Sequence, residues 1–165
     1  MVETNIVTES KNLCDTKEHA MHEVKDSESV PYTVRQMFEL VADVEHYKEF
    51  LPWCRDSRIL RREKKNVDVS EIQLGYGPMH TSLATRNTYR TNRTIEMDLV
   101  DGPFEFLQGS WKFEPTPGKG CRMSLELRFE FAQHHLEAVF DQMFKKAMET
   151  LAHAFKDRAK DLYEK

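Results

Sequence analysis

The stretch CRMSLELRFEF, residues 121–131, decides the fold. Met123, Leu125, Leu127, Phe129 and Phe131 take alternate positions, and Arg122, Ser124, Glu126, Arg128 and Glu130 fall between them. Successive side chains of a strand point to opposite faces, so this run has one apolar and one wet face. A one-sided strand of this kind belongs to an antiparallel sheet, because parallel sheets are covered on both faces. Ile95, Met97 and Leu99 alternate with polar residues in the same way, as do Trp111 and Phe113. Turn residues cut the region 55–132 into short pieces at Lys65-Asn66, Gly75–Pro78, Thr91–Arg93, Asp101–Pro103 and Pro115–Gly120. These connections are too short for crossover helices, which again points to antiparallel pairing. Residues 21–30 read as a further strand with poor alternation.

Helical spacing flanks this region on both sides. Thr33 and Gln36 fit a capping box, and Tyr32 and Met37 a hydrophobic staple. Val34, Met37, Phe38, Val41 and Val44 follow at threes and fours, which predicts a helix over 33–43. A short helical turn is expected over His46–Leu51, and Pro52 then turns the chain extended near Trp53. At the other end Leu136, Val139, Phe140, Met143, Ala147, Leu151, Ala154, Phe155 and Leu162 recur at helical spacing with no Gly or Pro among them. This predicts one continuous helix over 134–163, about 45 Å long at 1.5 Å per residue. The sheet has one apolar face and the helix one apolar stripe, and each can bury its own on the other. The expected fold is therefore α+β: a curved antiparallel sheet of six or seven strands wrapped around a long C-terminal helix. A wedge of space lies between them.

The chain has 165 residues, 39% hydrophobic and 32% charged, which suits one soluble domain. The net charge of −4 sits entirely in residues 1–30, which carry seven acids and three bases. Residues 1–20 have no hydrophobic period and read as a flexible leader, with a single domain over 21–165. They lack the apolar stretch of a secretory signal and the acid-poor character of a transit peptide. No apolar run is long enough for a membrane span. Cys14, Cys54 and Cys121 are odd in number with no C-x-x-C pair, so a reducing compartment is expected rather than a disulfide framework. These features point to a cytoplasmic protein. The seven histidines show no metal-ligand spacing, and there is no phosphate-binding loop, dinucleotide fingerprint or nucleophile elbow. No catalytic residue, metal or catalytic cofactor is assigned, and the chain is not read as an enzyme.

The stretch VPYTVRQMFELVADVEHYKEFLPWC (30–54) closely resembles the opening of the coenzyme Q-binding and ribosome-association-toxin proteins, which belong to the START-like (polyketide cyclase/dehydrase-like) superfamily. TRN (85–87), LVDGPF (99–104), WKFEP (111–115), the strand at 121–131 and AFKDRAKDLY (154–163) carry the resemblance along the chain. Lys48 departs from it, standing where the family usually has proline after the tyrosine. The resemblance implies the helix-grip fold and two functions. One is binding of ubiquinone or a similar polyprenyl lipid as a chaperone or carrier supporting respiration. The alternative is a toxin-like regulator that binds the large ribosomal subunit and blocks subunit association. Kinship alone does not choose, because sites rather than folds fix function.

Under the lipid reading, Phe38, Leu51, Trp53, Leu83, Met97, Leu99, Trp111, Phe129, Met143, Ala147 and Leu151 line a tunnel for the isoprenoid tail. Ubiquinone is then a bound ligand, not a cofactor, and binding needs only desolvation at about 0.8 kcal/mol per methylene. The plain alternative is that these residues fill the core. Phe50-Leu51-Pro52-Trp53 reads either as a lid touching the bilayer or as an inward plug, and the lid would make the protein peripheral to the inner membrane. The segment 55–65 carries six bases and two acids. Arg58, Arg61, Arg62, Lys64 and Lys65 are its candidates for contact with ribosomal RNA or anionic lipid, with Arg86, Arg90 and Arg93 nearby across the sheet. A solvated edge strand that uses charge against aggregation is the plain reading. No aromatic interleaving of the kind that stacks bases is present, and no DNA partner is expected.

Overall fold

A computed structural model of the chain describes residues 21–164. The leader expected over 1–20 lies outside the described residues. Seven strands form one antiparallel sheet: β1 (His22–Val30), β2 (Cys54–Lys64), β3 (Val67–Tyr76), β4 (Met79–Arg90), β5 (Thr94–Asp101), β6 (Phe104–Pro115) and β7 (Cys121–Phe131). Their order is β1-β7-β6-β5-β4-β3-β2, so every neighbour except the β1–β7 pair is joined by a hairpin. Helix α1 (Val34–Ala42) and a 3-10 turn (Val44–Glu49) link β1 to β2, and α2 (His134–Glu149) and α3 (Leu151–Tyr163) end the chain. This is the α+β helix-grip arrangement.

The alternation in β7 is realised residue by residue. Met123, Leu125, Leu127, Phe129 and Phe131 are buried, and the residues between them face outward. Helices α2 and α3 lie against β1 and β7, while α1 lies against β6 and β7. Helix α1 starts as the sequence predicts: the Thr33 hydroxyl accepts from Gln36 N, and the Gln36 side chain accepts from Thr33 N at 2.9 Å. At Lys48 the backbone N–H, which a proline would lack, donates to the buried Ser57 Oγ at 3.4 Å.

One expectation is corrected. The C-terminal segment is not a single helix: it breaks at Thr150, whose backbone is φ −111°, ψ 6°. The Thr150 hydroxyl donates back to the carbonyls of Lys146 at 3.0 Å and Ala147 at 3.2 Å, competing with the helical ladder. The break frees the Ala152 N–H, which donates to Asp26 Oδ2 on β1 at 3.0 Å. An acidic side chain from a distant strand thus caps α3. Burial raises the pKa of the Asp26 carboxyl, against the lowering effect of the Ala152 hydrogen bond.

Candidate functional site

The concave face of the sheet changes character from one edge to the other. Under α2 the rings of Phe104, Phe129, Phe131 and Phe144 pack together, with centroid distances of 4.8 Å for Phe129–Phe144 and 5.0 Å for Phe104–Phe131. Towards β3–β5 the packing opens into an apolar cavity of about 80 Å³. Ile72, Leu74, Leu83, Thr85 and Met97 wall it on the open side, and Leu107, Trp111, Leu125 and Leu127 form its floor. Tyr47, Trp53, Phe144, Met148 and Leu151 close it from the helix side. Gly109 of β6 pairs with Met97 of β5, and a side chain at the glycine would stand 2.7 Å from Leu127 Cδ1 and 3.1 Å from Met97 Cε.

A second, open groove of about 930 Å³ runs outside the cavity, between α2 and the ends of β2 and β3. Pro52, Trp53 and Arg55 form one bank, and Val139, Met143, Lys146 and Ala147 the other. Trp53 lines both spaces. Arg55 lies across Gly75, where a Cβ would stand 1.8 Å from its Nε, and donates to the Gly77 carbonyl at 2.8 Å.

Of the residues expected along a tunnel, Trp53, Leu83, Met97, Trp111 and Leu151 line the cavity. Met143 and Ala147 line the groove instead. Phe38 packs edge-on against Phe113 and Tyr89, Leu99 is half-buried against the core, and Phe129 belongs to the phenylalanine cluster. The segment 50–53 divides. Phe50 packs on Tyr47 and Phe155 beneath Arg158, Leu51 is buried, and Pro52 is exposed beside the half-buried Trp53.

Beyond Thr85 the same face turns polar. Asp68, Ser70 and Asn87 are buried and paired across β3 and β4, Asp68 opposite Asn87 and Ser70 opposite Thr85. Asn87 Nδ2 donates to Asp68 Oδ1 at 3.1 Å and to Ser70 Oγ at 2.7 Å. Tyr89 OH donates to Asp68 Oδ1 at 3.3 Å, and Arg62 reaches Asp68 Oδ2 at 3.7 Å. Burial and the adjacent Asp68 push the Tyr89 phenol up, and burial pushes Tyr47 well above its usual range. Nothing in the sequence singles out this cluster, because VDVSEIQL (67–74) has no clean period.

The basic strand β2 is an edge with three register shifts, exposed over its outer half. Its arginines are largely matched: Arg58 pairs with Glu71 at 2.8 Å, Arg61 with Glu63 at 3.2 Å, and Arg86 of β4 with the same Glu63 at 2.8 Å. Lys64 and Lys65 are exposed at the hairpin tip and make no ion pair among the described residues. Asn66 bonds both ways with the Tyr89 backbone, which brings this tip beside exposed Arg90 and Arg93.

Cys54 and Cys121 are free and buried, and burial raises both thiols, Cys121 to about 11. Among the described residues no group of three or more His, Cys, Asp or Glu is placed to hold a metal. No helix among them is long and apolar enough to cross a membrane.

The chain is 37% identical over 146 residues to the ribosome association toxin RatA of Escherichia coli, covering 88% of this chain and 92% of that one. It is 29% identical to the mitochondrial coenzyme Q-binding protein COQ10 of Dictyostelium discoideum, covering 83% and 68%. A START superfamily protein from Mycobacterium smegmatis superposes with a TM-score of 0.73 at 18% identity, covering 86% of this chain and 99% of that one, which is a likeness of fold. Residues 30–156, which run from the end of β1 into α3, match the family described as polyketide cyclase / dehydrase and lipid transport, and the chain belongs to that family.

Proposed function

We propose that this protein binds the apolar body of a polyprenyl lipid, ubiquinone or a close relative, between the sheet and the C-terminal helices, as a carrier and not as a catalyst. The observation that carries the reading is the cavity behind Trp53, lined almost entirely by apolar side chains and lying next to the open groove. At about 80 Å³ it is smaller than the roughly 300–1,000 Å³ of small-molecule sites. Loading therefore requires Trp53 to swing aside and join cavity to groove. The tail is then shielded from water, each buried methylene contributing about 0.8 kcal/mol. Pro52 and Trp53 flank the mouth and would meet the membrane surface from which the lipid is taken.

The test is uptake. Protein stripped of lipid is incubated with vesicles containing ubiquinone, re-isolated, extracted with solvent and examined by mass spectrometry. Stoichiometric quinone in the wild type, reduced at least tenfold in Met97→Trp with an unchanged circular-dichroism spectrum, supports the reading. A lipid-free wild type that takes up none overturns it.

A second reading has its own support. The relative named as a ribosome association toxin is 37% identical, and the tip bearing Lys64, Lys65, Arg90 and Arg93 is basic and exposed. Under it the protein co-sediments with large ribosomal subunits, with a steep salt dependence that Lys64→Ala with Lys65→Ala flattens. Absent or salt-independent co-sedimentation removes this reading.

A further inference from the structure

The hydrogen bonds around Thr85 fix which kind of polar group the cavity accepts. Asp68 is buried, and its Oδ1 accepts from Asn87 and from Tyr89. It takes one amide hydrogen of Asn87, and Ser70 Oγ takes the other. Both Asn87 donors are thereby spent, and its Oδ1, which can only accept, is turned to Thr85. The Thr85 hydroxyl donates to that oxygen at 2.9 Å. With its one hydrogen committed, Thr85 Oγ1 has only lone pairs left for a partner. The lining's other hydroxyl is in the same condition, since Tyr47 OH donates to the Val41 carbonyl.

We infer that the cavity selects a ligand carrying a hydroxyl that donates to Thr85 Oγ1, and so prefers the reduced, hydroquinone form of a quinone lipid over the oxidised form. This inference rests on the lipid reading above. A carbonyl oxygen in the same place sets lone pairs against lone pairs and returns no hydrogen bond. A hydroxyl carries the hydrogen that Thr85 Oγ1 can accept. Asp68 and Asn87 are positioning residues: they touch no ligand and act by holding the Thr85 hydrogen away from the cavity. The same chemistry would suit a prenyl alcohol, which supplies a hydroxyl without a quinone ring.

The experiment is anaerobic calorimetric titration of the full chain with a short-tailed ubiquinone, the same compound reduced to its quinol, farnesol, and farnesyl methyl ether. The quinol is expected to bind about tenfold tighter than the quinone, the order of one hydrogen bond. Thr85→Val is expected to bring the two affinities together and Thr85→Ser to keep them apart. Asp68→Asn, which gives the cluster a second amide and frees Asn87 to flip, should narrow the gap. Farnesol binding as tightly as the quinol, with the methyl ether weaker, assigns the hydroxyl to a prenyl alcohol and leaves the selection rule standing. Equal affinity for quinone and quinol in the wild type, or a preference that survives Thr85→Val, overturns the inference and leaves the lipid reading intact. No binding of any of the four compounds overturns both.

Discussion

The two halves of the sheet obey the same alternation and use it differently. On β1, β7 and β6 the inward positions carry Val24, Phe104, Phe129 and Phe131, and the helices press directly onto them. On β3, β4 and β5 the inward positions carry Asp68, Ser70, Thr85, Asn87 and Met97, and the packing leaves a void. The first half buries rings that each contribute about 1.5–3 kcal/mol, and holds the fold together. The second half gives up part of that stabilisation and keeps unfilled space, an ordered polar cluster and a tryptophan at the border of open solvent. A recognition site needs such features and a stable core avoids them, and this contrast supports the proposed site independently of any relative.

Truncation in each half should break or sharpen this contrast, and gives the largest expected effect. Phe129 is fully buried among Phe104, Phe131, Phe144 and the stacked ring of His22. Phe129→Ala should cost about 3–5 kcal/mol in urea denaturation. Leu83 is comparably buried but faces existing empty space, so its side chain has fewer partners to lose. Leu83→Ala should cost about 2 kcal/mol. Equal costs would mean that the open half is as tightly held as the other.

The join between the C-terminal helices gives the next effect. Asp26→Ala removes the acceptor at Ala152 N and should cost about 1 kcal/mol, the usual worth of a helix cap. Asp26→Asn should restore part of it, and hydrogen exchange at Ala152 should accelerate in the alanine variant alone.

What could be read in advance follows from how far each feature reaches along the chain. The strand at 121–131 and the Thr33–Gln36 box are local, so periodicity and spacing reveal them. The helix break is not local: Thr150 is a weak signal by itself, and its partner Asp26 lies 126 residues from Ala152. The cavity was half legible. Apolar spacing marks Trp53, Leu83, Met97, Trp111 and Leu151 as inward-facing, as it does Phe38, Leu99 and Phe129. Which inward side chains meet a void and which meet one another depends on sheet curvature and helix placement, and neither leaves a mark on any one segment. The polar cluster was hidden for a different reason. Val69 is fully buried although it points away from Asp68 and Ser70, so β3 buries both faces and shows no period.

The smallest effect belongs to the charged outer surface of the open half. Glu63 accepts from both Arg61 and Arg86, and these guanidiniums, Arg86 first, lower its carboxyl from the usual 4.5 to about 2. A carboxyl lowered on folding stabilises the folded state above its unfolded pKa and loses that contribution as the pH falls through the folded value. The stability carried by Glu63 is therefore present in full above about pH 4.5 and is lost towards pH 2. Glu63→Gln should show a shallower fall in urea midpoint than the wild type across that window, and the two curves should converge in 1 M salt, where the Debye length is about 3 Å. Water reaches this bridge, so the difference should be smaller than that of Asp26→Ala. A difference as large as that of the buried cap would mean that the arginine ladder holds the open half in shape.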